Sequence, residues 1–528
     1  MKNDNYLENL KYDVPAGIVV FLVALPLCLG ISLASGTPLF SGIIAGFVGG
    51  IVVALISGSA LGVSGPAAGL IVIVLTAVEK FGFEAFQVAV LLSGLMQVGL
   101  GYARAGFIAY YFPTAVIKGM LSAIGILIVI KQMPHAVGYD LYRGMGYYLN
   151  MDLREYNLEG IEFGGIALWQ GQITDFINNI IRFFTPGAFI IWFFSMAILL
   201  LWERPFFKNR PVFHWIQGPL VVVVSGALLG KLFDLFPSIA LAKSHFVSIP
   251  VSESIAEFFH FFSLPNPSYL SNPEMYSLAA TMALIGSLET LLCVEATDKL
   301  DPLRRFTPTD QELKAQGVGN IVSGMIGGLP ITQVIVRSSA NIQSGGRTKI
   351  SCIVHGALIL FAAILIPNLL NMIPYASLAA ILMMVGYKLA KPIVFKEVNE
   401  KGHYQFAPFI ITIVAIVVSN LLVGVALGFA TSLVFILWEN YKFTLYYTED
   451  INAKKIVIRL SEHVSFLNKA NILKALNGIP DDYHVTIDGS HCSHIDYDVF
   501  EIFENFKIEA ESMGIKLDLV AITADKTV

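Results

Sequence analysis

Apolar runs of about 20 residues recur from residue 14 to residue 438, and each is long enough to cross about 30 Å of hydrocarbon as a helix. The segments are read at 14–34, 39–56, 61–78, 85–102, 114–130, 187–202, 212–232 and 276–297, then a weaker amphipathic stretch at 313–326, and 331–342, 350–366, 376–389, 406–422 and 424–438. Several are too short for a full span unless the backbone is broken. The chain is 55% hydrophobic and only 14% charged, whereas soluble domains average about 25% charged residues. A solvated globule is excluded. Residues 1–440 are expected to form an α-helical polytopic membrane domain in a lipid bilayer, with 14 segments.

Lysine and arginine in short loops mark the cytoplasmic side. Basic loops at 203–211, 298–306, 344–349 and 391–401 fall on one side, and the long loops 132–185 and 233–273, poor in lysine, fall on the other. An even span count then places both termini in the cytoplasm and the chain in the inner (plasma) membrane. The polar N-terminus has no basic region or cleavage site of a signal peptide. After residue 440 the character changes. TEDINAKKIVIRLSEHVSF alternates like a half-buried strand, NKANILKALNGIP reads as an amphipathic helix closed by Gly-Ile-Pro, and the rest reads strand, loop, helix, strand. Residues 441–528 are expected to be a small cytoplasmic α/β domain.

The chain shows no P-loop, GxSxG or dinucleotide fingerprint. No enzyme, catalytic residue, cofactor, bound metal or nucleic-acid partner is expected. Cys28, Cys293, Cys352 and Cys492 are scattered singly and read as buried small residues, and the ten histidines lack ligand spacing.

Two stretches interrupt the apolar pattern at matching places in the two halves. LGVSGPAAGLIVIVL starts a short helix directly after Ser64-Gly65-Pro66, and GGLPITQVIVRSSANI starts another after Pro330. Gly/Pro-broken short segments in corresponding positions mark inverted repeats with discontinuous helices. Unsatisfied N–H groups at a helix N-terminus attract an anion, so two such ends meeting from opposite sides make a midplane anion site. The plainer reading is a pair of kinks. Arg337 is placed about two turns after Pro330, either snorkelling to the surface or lending positive potential to the anion path.

One acidic residue stands inside an apolar run: Glu289 in MALIGSLETLLCVEATDKLD. A charge at mid-bilayer costs about 2.5–3.5 kcal/mol on insertion scales. Ala279, Ala283, Gly286, Thr290, Cys293 and Thr297 form a small-residue stripe suited to close packing, and Glu289 lies about 60° from Gly286, at its edge. The carboxyl group therefore faces the protein interior, where it can accept a proton. Glu295, on the opposite side, is expected at the interface, paired with Lys or Arg.

LVALPLCLGISLASG, the SGPAAG break, ALIGSLETLLCVEATDKL and GNIVSGMIGGLPITQVIVRSSANIQSGGRTKIS together resemble the sulfate permease (SulP) family, the bacterial relative of solute carrier family 26. IDGSHCSHIDYDVFEIF resembles the STAS domain that ends most of its members. The resemblance implies two inverted seven-helix repeats, a core that moves as an elevator against a gate, and commonly a homodimer. It places an anion between the N-termini of helices three and ten, lined by Leu27 and Ile31 of helix one, by Ser64, Gly65, Ala67 and Ala68, and by Thr332, Gln333, Val334 and Arg337. It implies cation coupling at Glu289, with Cys293 one turn on, and a possible cytoplasmic protein partner for the STAS domain.

Three departures stand out. Pro26-Leu27 replaces the usual Pro-Gln, Gln333 replaces a small residue, and Ile495-Asp496 is followed by Tyr497-Asp498 rather than the Ser-Ser-Gly of soluble STAS regulators, so a serine switch is not expected. The expected function is secondary transport of a small inorganic anion, bicarbonate slightly ahead of sulfate because a polar side chain is lost. The coupling ion is H⁺ or Na⁺, with the proton favoured because Cys293 is a poor sodium ligand. Alternatives are an uncoupled channel or exchanger, a carrier of dicarboxylates or nucleobases, and a sensor.

Overall fold

The first apolar run becomes α1, Tyr6–Ala34, which starts about two turns before the apolar sequence does. In the computed structural model, residues 6–107, 112–138, 184–204, 206, 217–252, 254–419, 421–442 and 445–522 are described. Most of the loop expected at 132–185, the end of the basic loop at 203–211 and the start of the segment at 212–232 lie outside them.

Helix α2, Leu39–Val48, runs through a π turn, Gly49–Val53, into a last turn at Ala54–Ile56. Strand β1, Ser64–Pro66, precedes α3, Ile71–Phe81, α4, Phe83–Tyr102, and α5, Thr114–Ala136. Then come α6, Pro186–Trp202, α7, Gly218–Phe233, and α8, Pro273–Leu300. The second half continues with α9, Thr309–Ile326, β2, Ile331–Gln333, α10, Ile335–Gln343, and α11, Ile350–Leu365. It closes with α12, Tyr375–Leu389, α13, His403–Val418, and α14, Leu421–Lys442. Among the described residues, seven helices are long and apolar enough to cross a membrane and four shorter ones are strongly apolar. Every apolar run read from the sequence thus corresponds to an element.

The chain divides into two compact units, residues 1–400 with 409–427, and residues 401–408 with 428–528. In the second unit, β3, Leu445–Asp450, β4, Lys455–Leu460, β5, His463–Val464, and α15, Lys469–Asn477, lead to β6, His484–Asp488, and β7, His494–Ile495. Helix α16, Tyr497–Ser512, and β8, Lys516–Val520, complete it. The sheet order is β3-β4-β6-β8, with β4, β6 and β8 parallel and β3 antiparallel at the edge. Alternate residues Ile456, Ile458, Val485 and Ile487 point into one core with Val499, Phe503 and Phe506 of α16, as the two-residue period of a strand dictates. Asp496 caps α16 through a hydrogen bond from the Asp498 N–H at 3.0 Å.

In the first unit, the feature that positions everything else is a pairing between the two breaks. Strands β1 and β2 lie antiparallel, with Ser64 opposite Gln333, Gly65 opposite Thr332 and Pro66 opposite Ile331. Backbone bonds from Ala67 N to Pro330 O and from Val334 N to Val63 O, each 3.0 Å, extend the ribbon at both ends. Asn320 of α9 clamps β2 from behind: its Oδ1 accepts the Ile331 N–H at 2.6 Å and its Nδ2 donates to Ile331 O at 3.1 Å. Gln97 of α4 holds that amide by accepting a second bond from Asn320 Nδ2 at 2.7 Å, and it donates to Ser287 of α8 at 3.3 Å.

The polar ends of the helices are tied as well. Asp13 on α1 is fully buried and accepts bonds from the N–H groups of Arg347 and Thr348 and from the Thr348 hydroxyl. At the end of α8, burial tends to raise the Asp301 carboxyl, but hydrogen bonds from Arg305 and from the Leu303 N–H outweigh it and hold the group below the usual carboxylate range. Asn320→Ala removes both clamps on Ile331 and leaves its buried N–H unpaired. A loss of about 1–3 kcal/mol per unsatisfied group is expected, read as a lower unfolding midpoint of the purified protein in detergent.

Candidate functional site

A strand turns successive side chains to opposite faces, and residues directly across a pair share one face. The ribbon therefore has two chemically different sides. Gly65 and Thr332 share the first. There the Arg337 guanidinium lies against Gly65 so closely that a Cβ on Gly65 would collide with Nη1. Arg337 is 1% exposed, its Nη2 donates to Cys28 Sγ at 3.5 Å, and its Nη1 has no partner. It is the single Lys or Arg buried to this degree among the described residues. Thr332 Oγ1 is buried and unpartnered on the same side.

Ser64 and Gln333 occupy the other face. Gln316 of α9 donates to Ser64 Oγ at 2.7 Å, and Gln333 Nε2 donates to Thr297 Oγ1 of α8 at 3.1 Å. Both were expected to line the anion site, but pairing turns their side chains away from Arg337. The Gln333 backbone N–H also meets α8, donating to Thr290 Oγ1 at 3.3 Å.

The helix starts also differ from expectation. The first break itself, Ser64–Pro66, and the residues after the second, Ile331–Gln333, form the ribbon, so neither helix begins directly after its proline. A 3₁₀ turn, Ala68–Leu70, leads into α3 at Ile71, and α10 begins at Ile335. Arg337 therefore stands in the first turn of α10, not two turns in, and its full burial rules out snorkelling. A guanidinium at a positive helix end is electrostatically disfavoured, which makes an anionic partner there more valuable.

Glu289 is brought directly to the first break. It is 7% exposed, and its Oε1 accepts the Gly69 N–H at 3.2 Å. The carboxyl group lies so close to Gly69 that a Cβ there would stand 2.7 Å from Glu289 Oε2 and push the carboxyl group aside. Oε2 has no partner. The positive end leading into α3 is thus occupied by a carboxyl group of the protein, and the two breaks are not equivalent anion ends.

The small-residue stripe faces inward as expected: Ala279, Ala283, Gly286, Thr290 and Thr297 are buried, while Cys293 is part-buried. Glu295 pairs with Lys299 at 2.5 Å on the exposed side. Ala67 is buried at the end of the ribbon, and Ala68 and Val334 are part-buried beside it. On α1, Leu27 packs with Val23, Leu199, Val222, Ala380, Ile381 and Met384, which belong to α1, α6, α7 and α12. Ile31 is buried one turn on. The α1 side chain that touches Arg337 is Cys28, which was read as inert.

Sequence reasoning missed Glu312, Gln316 and Asn320, although their four-residue spacing in QELKAQGVGN was a visible signal for one face of α9. It also missed His355 of α11, fully buried within electrostatic reach of Arg337.

A helical membrane protein in which two interrupted segments pair at a buried guanidinium, with a buried carboxyl group held at the first of them, has the architecture of a secondary transporter. The sulfate permease family model matches residues 10–153 and 168–415. The chain belongs to that family, and it is a multi-pass membrane transporter rather than an enzyme. It is 26% identical over 434 residues to the putative sulfate transporter YvdB of Bacillus subtilis, covering 81% of this chain and 74% of that one. It is 25% identical over 440 residues to the bicarbonate transporter BicA of Picosynechococcus, covering 81% and 70%. Among solved structures, the transmembrane domain of a cyanobacterial BicA has a TM-score of 0.63 at 22% identity, covering 80% of this chain and 98% of that chain. The inward-facing murine anion transporter Slc26a9 has a TM-score of 0.73 at 16% identity, covering 100% and 87%. At these identities the structures share the fold.

Gly65→Ala should displace the guanidinium without removing its charge. Arg337→Ala removes it. A charge-assisted hydrogen bond contributes about 1.5–3 kcal/mol, so anion affinity should fall about 10- to 100-fold in Arg337→Ala, with Gly65→Ala intermediate. Calorimetric titration of the purified protein with anion checks both; unchanged affinity in Arg337→Ala removes the guanidinium from the site.

Proposed function

We propose that the chain is a secondary active transporter of a small inorganic anion, bound on the Arg337 face of the ribbon and coupled to proton movement at Glu289. The observation that carries this reading is the buried Arg337 with an unpartnered Nη1 beside Gly65 and Thr332. A cation held away from water without a counter-charge is costly, and a bound anion supplies that charge. The relatives named as sulfate and bicarbonate transporters support the substrate class.

Charge matching favours a monoanion. One guanidinium offsets one negative charge, and the apolar packing of Leu27 adds no donor. Bicarbonate therefore stands ahead of sulfate. The proton stands ahead of sodium, because Glu289 Oε1 is already engaged by an N–H donor and Cys293 is a poor hard-cation ligand. Sodium coupling is the second reading, favoured by the nearby unpartnered Thr332 hydroxyl. Transport proceeds by elevator motion of a core against a gate, within a homodimer in the inner membrane with both termini cytoplasmic. The α/β module is a STAS domain that engages a cytoplasmic partner, without a serine switch because Tyr497 starts its helix.

The test is radiolabelled uptake into proteoliposomes of bicarbonate, sulfate, chloride and a dicarboxylate, under imposed pH or sodium gradients. Bicarbonate accumulation driven by a proton gradient is expected. Glu289→Gln should abolish gradient-driven accumulation while anion exchange continues; accumulation that survives the change removes Glu289 from the coupling step.

A further inference from the structure

Behind the ribbon, on the face away from Arg337, a second carboxyl group is buried. Glu312 lies in the first turn of α9 and is 0% exposed. Its Oε2 stands 2.5 Å from Ser57 Oγ, and its Oε1 accepts a bond from Gln316 Nε2 at 2.8 Å. The same Gln316 nitrogen donates to Ser64 at the start of β1. Ser57 Oγ in turn accepts the Ser59 N–H at 3.0 Å, and Gly58 between the two serines is exposed. Hydrogen bonds therefore run without a gap from a surface turn to the ribbon.

Every direct partner of Glu312 is neutral. The ionisable groups whose charge reaches it are Asp298 at the end of α8, itself bonded to Thr307, and the Cys352 thiol of α11, which donates to Gly62 O. On its own helix, Asp310 accepts the Gly106 N–H and Lys314 sits over the Tyr102 ring. Of the other elements packed on α9, α2 and β2 carry no ionisable side chain, and α4 carries only Glu84 and Tyr102 near its ends. A carboxylate with neutral partners alone is costly to keep ionised away from water. The Gln316 amide and the Gly58 N–H, which only donate, favour the carboxylate, whereas Ser57 Oγ can donate to a carboxylate or accept from a carboxylic acid.

We propose that Glu312 is a second proton-binding site of the transporter, loaded from solution through the Ser57–Gly58–Ser59 turn. The Ser57 hydroxyl passes its hydrogen to Oε2 and takes one from a hydronium ion at the turn: the hydronium O–H and the old Ser57 O–H break, a new O–H forms on Ser57 and one on Glu312, and a water molecule is left. The site is separate from Glu289, which lies against Gly69 at the start of the first interrupted helix. The inference deepens the coupled-transport reading and rests on it for what the proton is used for.

Infrared difference spectroscopy of the purified full-length protein, stepped between acidic and alkaline pH, reads protonated buried carboxyl groups directly and needs no anion. The wild type should show two titrating carboxylic acid bands. Glu312→Gln should remove one and Glu289→Gln the other, and Ser57→Ala should move the Glu312 band and its midpoint by about one pH unit. A Glu312→Gln spectrum identical to wild type overturns the proposal. If that variant does not fold, an unmoved band in Ser57→Ala overturns it instead. Failure of gradient-driven uptake in proteoliposomes sinks the coupled-transport reading and leaves the infrared result standing, so the two are told apart.

Discussion

The structure depends on three backbone pairs between Ser64–Pro66 and Ile331–Gln333. Inside a membrane an unpaired N–H or C=O costs several kcal/mol, so a helix can be interrupted only where another segment satisfies the exposed groups. Here each interruption satisfies the other. The ribbon joins the two halves of the chain at one place and dictates which residues face each way. Arg337, Thr332 and Glu289 follow from its front, and Gln316, Asn320 and Glu312 from its back.

The supporting helix α9 inverts the usual logic of an amphipathic helix. Its polar residues Glu312, Gln316, Asn320 and Ser323 point inward and are fully or nearly fully buried. They are shielded from solvent, the ribbon offers backbone and hydroxyl partners, and a hydrogen-bonded polar network specifies position as firmly as apolar packing does. Asn320 holds the N–H and the C=O of one residue, Ile331, and Gln97 fixes Asn320. Small shifts of α9 against α4 would therefore move the strand that presents Thr332.

Much of this was legible in the residues. The apolar runs marked the helices, the two Gly-Pro breaks marked the interruptions, and the small-residue stripe correctly turned Glu289 inward. The site itself was only half legible. Ser64 and Gln333 looked equivalent to Gly65 and Thr332, because nothing in a three-residue stretch shows which face a strand will turn to its partner. Arg337 looked too deep in its helix for the same reason: the strand moved the helix start to Ile335. The Glu312–Gln316–Asn320 spacing was visible but read as a weakly amphipathic span, since periodicity alone does not say whether a polar face meets water or protein.

What the sequence determined by itself was the class of solvent each segment tolerates. Hydropathy is a property of the residues, and with the spacing of glycine and proline it was enough to give helices, breaks and family resemblance. Only the tertiary structure decided that the two breaks pair, that Glu289 meets Gly69, and that Arg337 lies buried against Gly65 with Cys28 at its side. These are contacts between residues far apart in the chain. Their register is set by backbone hydrogen bonding across the ribbon, which no local pattern encodes.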